Sequence, residues 1–173
     1  MAVRLLFTVD VEGTKTAGPG RLLHHEVEKE VRLPWQKLQE LAARRGVPMT
    51  FFLPLTELAP ETPEVVTWAR ETAGSHGLGL HLHRPFPRLS PAEITGLLAA
   101  ERLAFEERVG RAPVVVRAGT YNTGEHGTWF AAVAAAGIPC DSSLISGAWS
   151  EAPAFRAQAD TEAGRWGPGS YAF

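Results

Sequence analysis

Disulfides, membrane spans and a one-signed surface are all missing from this chain. Cys140 is the only cysteine, so no intramolecular disulfide can form, which suits a reducing compartment. The 17 basic and 19 acidic residues nearly cancel, giving a formal charge of −2. That balance provides no footprint for nucleic acid or an anionic membrane. No apolar run approaches the roughly 20 residues that span a bilayer. Residues 2–9 are apolar and β-branched but lack the basic start and small-residue cleavage site of a secretory signal. A cytoplasmic location is therefore expected. There is no Gly-x-Ser-x-Gly elbow, which argues against a serine hydrolase. Gly13-Thr14-Lys15-Thr16 lacks the upstream glycine spacing of a phosphate-binding loop.

What is present is one ordinary domain's worth of core: 173 residues, 45% hydrophobic, enough to fold without covalent staples. A single unit recurs, namely a short β-rich run, a loop, a helical pattern, and a glycine leading to the next run. The runs are expected at residues 3–11, 48–54, 78–83, 114–116 and 138–141. Between them, Trp35, Leu38, Leu41 and Ala42 mark one helical face that stops at Arg44-Arg45-Gly46. Thr62-Pro63 is expected as N-cap and first position of a second helix ending near Gly74. Ser90-Pro91-Ala92-Glu93 is a capping box opening a third, through Ile94, Leu97, Leu98 and Phe105 to Gly110. A fourth helix runs over about residues 124–136. Strands separated by helices imply βα units and a parallel sheet or barrel. After Ser143 the pattern stops. Residues 1–145 read as a barrel portion, and residues 146–173 as an irregular arm or the start of a missing remainder.

Parallel α/β folds bind ligands at the carboxyl ends of their strands. The first run ends in Thr8-Val9-Asp10-Val11-Glu12, and alternation points Asp10 and Glu12 the same way. Such a pair is either a solvated loop start or a charged pair that needs a cation between its members. The third run ends in His81-Leu82-His83, two same-face imidazoles that are either metal ligands or ordinary core and loop histidines. Two nitrogens and one or two oxygens would suit Zn, Fe, Mn or Co. Arg117 follows the fourth run and is expected to pair with a carboxylate, either Asp10 or a surface acid. His76 reads as a turn residue, His126 as first-turn helix, Trp129 as core, and His24-His25 as a solvated loop pair.

Four segments resemble, in order, the polysaccharide deacetylase family, the NodB-homology carbohydrate esterases. Thr8-Val9-Asp10-Val11-Glu12 resembles its first motif. His76-Gly77-Leu78-Gly79-Leu80-His81 is similar to the approach to its second, and Arg117-Ala118-Gly119-Thr120-Tyr121 to its third, an arginine loop. Gly137-Ile138-Pro139-Cys140-Asp141-Ser142-Ser143 resembles the glycine, short strand and Asp-Ser-Ser that follow. The resemblance implies a distorted (β/α)7 barrel, incomplete at its C-terminus, and removal of an N- or O-acetyl group from a carbohydrate. It implies Asp10 as base, Arg117 as its tether, and Glu12, His81 and a second histidine as ligands of a divalent ion (Zn, Co, Mn or Fe). The backbone near Thr120 or Tyr121 would face the oxyanion. The family's second histidine lies four residues after the first, where this chain has Pro85, so His83 is the nearby substitute. The family's late histidine has no counterpart, since no histidine follows His126. Trp149 and Trp166 are candidate sugar-stacking platforms. The expected partner is thus an acetylated carbohydrate, with self-association through an unpaired sheet flank. Two alternatives are a metallohydrolase acting on another amide or a phosphoester, and a sugar-binding barrel relic without turnover.

Overall fold

The computed structural model of the protein describes residues 7–11, 27–58, 62–84, 86–119, 123–143 and 171–172. Within them the chain is α/β, built on a parallel sheet. Strands β1 (Phe7–Asp10), β2 (Met49–Leu53), β3 (Gly77–Leu82), β4 (Val116–Ala118) and β5 (Cys140–Asp141) lie side by side in sequence order, each parallel to the next. A sixth strand, β6 (Tyr171–Ala172), runs antiparallel against β5. It covers that flank with two residues from a segment in which the sequence predicts no regular pattern.

The helices are α1 (Leu33–Arg45), entered through a π-helical stretch at Val27–Arg32, then α2 (Leu55–Leu58), α3 (Glu64–Thr72), α4 (Pro91–Val109) and α5 (His126–Ala135). Their ends follow the predicted local chemistry. Gly46 and Gly110 adopt left-handed conformations, φ 62° and 85°, that close α1 and α4, a conformation that other residues resist. The capping box forms in full: Glu93 N–H donates to Ser90 Oγ at 3.4 Å, and Ser90 N–H donates to Glu93 Oε2 at 2.7 Å.

Three expectations shift. Leu41 is 45% exposed, because it lies about 100° round the helix from buried Ala42. Thr62 supplies only its backbone carbonyl, to Val65 N–H at 3.1 Å, and α3 starts without a side-chain cap. The fourth strand is displaced: Val114 and Val115 still bond to β3, but β4 proper is Val116–Ala118. Arg117 therefore sits within a strand, paired with His81 on β3, while β5 joins the other edge of that strand at Val116.

Strand order without a reversal sends each right-handed crossover to the same side, so one sheet face is packed by helices. Phe51, Leu53, Leu78, Leu80, Leu82, Val116 and Ala118 join Trp35, Val65, Leu98, Phe105 and Trp129 in one core, against which the half-buried Val9 packs. The alternate strand residues, Thr8, Asp10, Phe52, Gly79, His81 and Arg117, occupy the opposite face. Phe52 is fully buried but stands outside that core.

Candidate functional site

The second face gathers four of the predicted residues. Arg117 Nη1 donates to Asp10 Oδ1 at 2.6 Å, an ion pair between β4 and β1. Two strands intervene, so on a flat sheet the pair would be about 14 Å apart, three strand spacings. Side chains standing perpendicular to a flat sheet do not bridge that gap. The sheet must therefore curl, with this face concave. Curling turns a row of outward side chains into a cluster.

Arg117 is held at several points. Nη2 donates to Thr8 Oγ1 at 3.1 Å and to Ser142 Oγ at 2.8 Å, and Nε donates to the Ser142 carbonyl at 3.3 Å. The guanidinium carbon lies 4.0 Å from the centroid of Phe52, a cation–π contact strengthened by burial. Phe52 fits there because Gly79, level with it on β3, has no side chain. A Cβ on Gly79 would sit 3.0 Å from Phe52 Cδ1 and 2.7 Å from Val115 Cγ1. The Asp10 side chain remains 26% exposed. Among the described residues only its Oδ1 is hydrogen-bonded, which leaves Oδ2 available to accept a proton or a ligand.

His81 lies beside Arg117 in register on β3 and is buried. His83 follows just past the strand end, and the two rings meet edge to face with centroids 4.5 Å apart. The His83 ring packs flush on Gly119, where a Cβ would come within 2.9 Å of Nε2. The next residue, Arg84, ties the segment down: Nη2 donates to Glu101 Oε1 of α4 at 3.1 Å.

Asp10, Arg117, His81 and His83 therefore share one concave face at the carboxyl ends of parallel strands. Glu12, Tyr121, Trp149 and Trp166 lie outside the described residues, as do Thr120 and the His24-His25 pair. Among the described residues no three His, Cys, Asp or Glu side chains form a ready-made cation site. The His81–His83 pair brings two imidazole rings together, a donor chemistry that suits Zn, Co, Mn or Fe. Grooves of about 360 and 330 Å³ occur elsewhere, between the π-helical stretch, α1 and α3, lined by Arg32 and Trp68. They hold no candidate catalytic group.

Sequence reasoning missed Thr8, Phe52 and Ser142 as partners of Arg117. Thr8 was legible in principle, since alternation puts it on the face of Asp10. As for the remaining histidines, α5 begins at His126 as expected. His76, just before β3, accepts Met49 N–H on Nδ1 at 3.4 Å. No protein-family model matches the chain, and no curated protein matches it.

Proposed function

We propose that the protein is a metal-dependent hydrolase that removes an N- or O-linked acetyl group from a carbohydrate or related amide, on a partial (β/α) barrel of the NodB type. The observation that carries this reading is the 2.6 Å Arg117–Asp10 pair on a concave face shared with His81 and His83. The four-part sequence resemblance supports it, as does the unreversed order of parallel strands.

In this reading Asp10 is the general base. Arg117 occupies Oδ1 and leaves Oδ2 to face the attacking water, whose proton Asp10 takes. His81 and His83, with Glu12, would hold a divalent ion, which when bound polarises the acetyl carbonyl and acidifies water. The backbone near Tyr121 would donate to the developing oxyanion, and Trp149 and Trp166 would stack on sugar rings.

The test is acetate release from a panel of N- and O-acetylated oligosaccharides, with metal content determined alongside. Asp10→Asn keeps the shape but cannot take the proton, so turnover should fall by roughly 100-fold or more while metal stays bound. Full activity in Asp10→Asn would refute the assigned role. A metal-free parent that releases no acetate would sink the whole reading.

A further inference from the structure

Asp141 takes no part in the chemistry proposed above, yet it is a carboxylate with no solvent exposure. Such burial is costly unless each oxygen is hydrogen-bonded. Here each is. Oδ1 accepts from Trp129 Nε1 at 2.9 Å and from the Ser143 hydroxyl at 2.7 Å, and Oδ2 accepts from Ser143 N–H at 2.9 Å. Trp129 is itself locked, buried on α5 with its ring 4.8 Å from that of Phe86. Burial pushes the Asp141 carboxyl above its usual range, opposed by the Ser143 and Trp129 donors and by the nearby Arg117 charge.

The next two residues grip three consecutive residues of β4. Ser142 N–H donates to the Val116 carbonyl at 2.9 Å. The Ser142 carbonyl and hydroxyl oxygens both accept from the Arg117 guanidinium. Ser143 gives its one hydroxyl proton to Asp141, so its oxygen is free to accept, and Ala118 N–H donates to it at 2.8 Å. Gly119, against which His83 packs, follows directly.

We propose that Asp141-Ser142-Ser143 is a positioning element that couples the two halves of the site. Anchored on Trp129 through the Asp141 carboxylate, it fixes Arg117, and through it Asp10, and it fixes the Ala118-Gly119 backbone, and through it His83. The proposed chemistry gives none of the three a direct part. The proposal rests on the reading of Asp10 and His83 as functional groups, so its test measures geometry without turnover.

The experiment is NMR of the full-length, isotope-labelled chain. It compares Ser142→Ala, Ser143→Ala and Asp141→Asn with Ser90→Ala, a remote helix-cap variant that controls for lost stability. Asp141→Asn puts an amide N–H₂ against either Ser143 N–H or its other donors. Ser142→Ala should speed solvent exchange of the Arg117 Nε–H by tenfold or more. Ser143→Ala and Asp141→Asn should also shift the Gly119 amide and the His83 ring signals. Ser90→Ala should lower Tm yet leave all of these signals at their parent positions. If Asp141→Asn does not fold, the two serine variants, which retain the buried carboxylate, decide the matter. Arg117 exchange and His83 shifts matching those of Ser90→Ala would overturn the coupling. The expected changes in a protein that releases no acetate would uphold the coupling and count only against the hydrolase reading.

Discussion

Arg117 and Asp10 are 107 residues apart in the chain and 2.6 Å apart in space. Their contact requires a curled sheet and lies at the centre of the candidate site. Arg117→Ala strands the Asp10 carboxylate and the Thr8 and Ser142 oxygens, and it uncovers Phe52. We expect a loss of about 2–4 kcal/mol, below the full penalty for a broken buried ion pair because Asp10 is partly solvated. Arg117→Lys should recover little, since a point charge cannot serve the β1 acceptors and Ser142, just past β5, together. In a double-mutant cycle with Asp10→Asn, read by urea unfolding, the coupling should exceed about 1 kcal/mol. Additive losses would show that the pair is an incidental contact.

Gly119 is expected to be intolerant of even one methyl group, for packing reasons alone. A Cβ there runs into the His83 ring, which also meets the His81 ring edge to face. Gly119→Ala should cost about 1–3 kcal/mol through overpacking and displace the imidazole. Adding His83→Ala removes the obstruction, so the double variant should be more stable than Gly119→Ala alone. Thermal unfolding of the three variants tests this, and a double variant less stable than either single one would count against the packing assigned here.

His76 gives the fold a pH dependence of definite sign. Burial holds its pKa below the ordinary histidine value, so the folded state favours the neutral ring, which accepts Met49 N–H and packs edge-on against Phe51. A depressed folded pKa contributes stability that is complete above the unfolded value, about 6.5, and is lost as pH falls through the folded value. Between pH 7.5 and 5 the parent should therefore lose more stability than His76→Gln, in which a neutral amide replaces the ring. Equal losses would assign the dependence to other groups.

Local chemistry was the legible part of this fold. The Ser90–Glu93 box, the glycine stops at 46 and 110, and the parallel βα order depend on neighbours in sequence, and they appear as expected. Alternation likewise put Asp10 on one strand face and His81 with His83 on one strand face. A barrel was expected only through the family resemblance, and the degree of curvature was not legible in the residues themselves. Whether Phe52 is a core residue or a platform under a guanidinium depends on how far β1 and β4 roll together, which no local pattern encodes. Ser142 was quoted only as part of a motif, because its partner lies 25 residues away on another strand. Gly79 and Gly119 are required by what lies against them, not by backbone angle, so no turn signal marked them.

For metal binding, the control matters as much as the effect. His81 is buried, so His81→Ala should destabilise the protein in the absence of any ion by opening a cavity. Loss of stability alone therefore says nothing about ligation. The informative quantity is the increment that an ion adds. A ligand that binds only the folded state stabilises it by about 2.7 kcal/mol at 100 times its Kd, which for a chain of this size is roughly 5–11 °C in Tm. Zn, Co and Mn should be titrated separately into chelator-treated protein, with the ion's increment compared between the parent and each variant. The parent should gain on that scale with at least one ion, His81→Ala should lose the increment, and His83→Ala should lose most of it. Asp10→Asn should keep it, because the proposed base is not a ligand. A parent whose Tm ignores all three ions would remove the metal from the proposal and leave the Asp10–Arg117 pair without its electrophile.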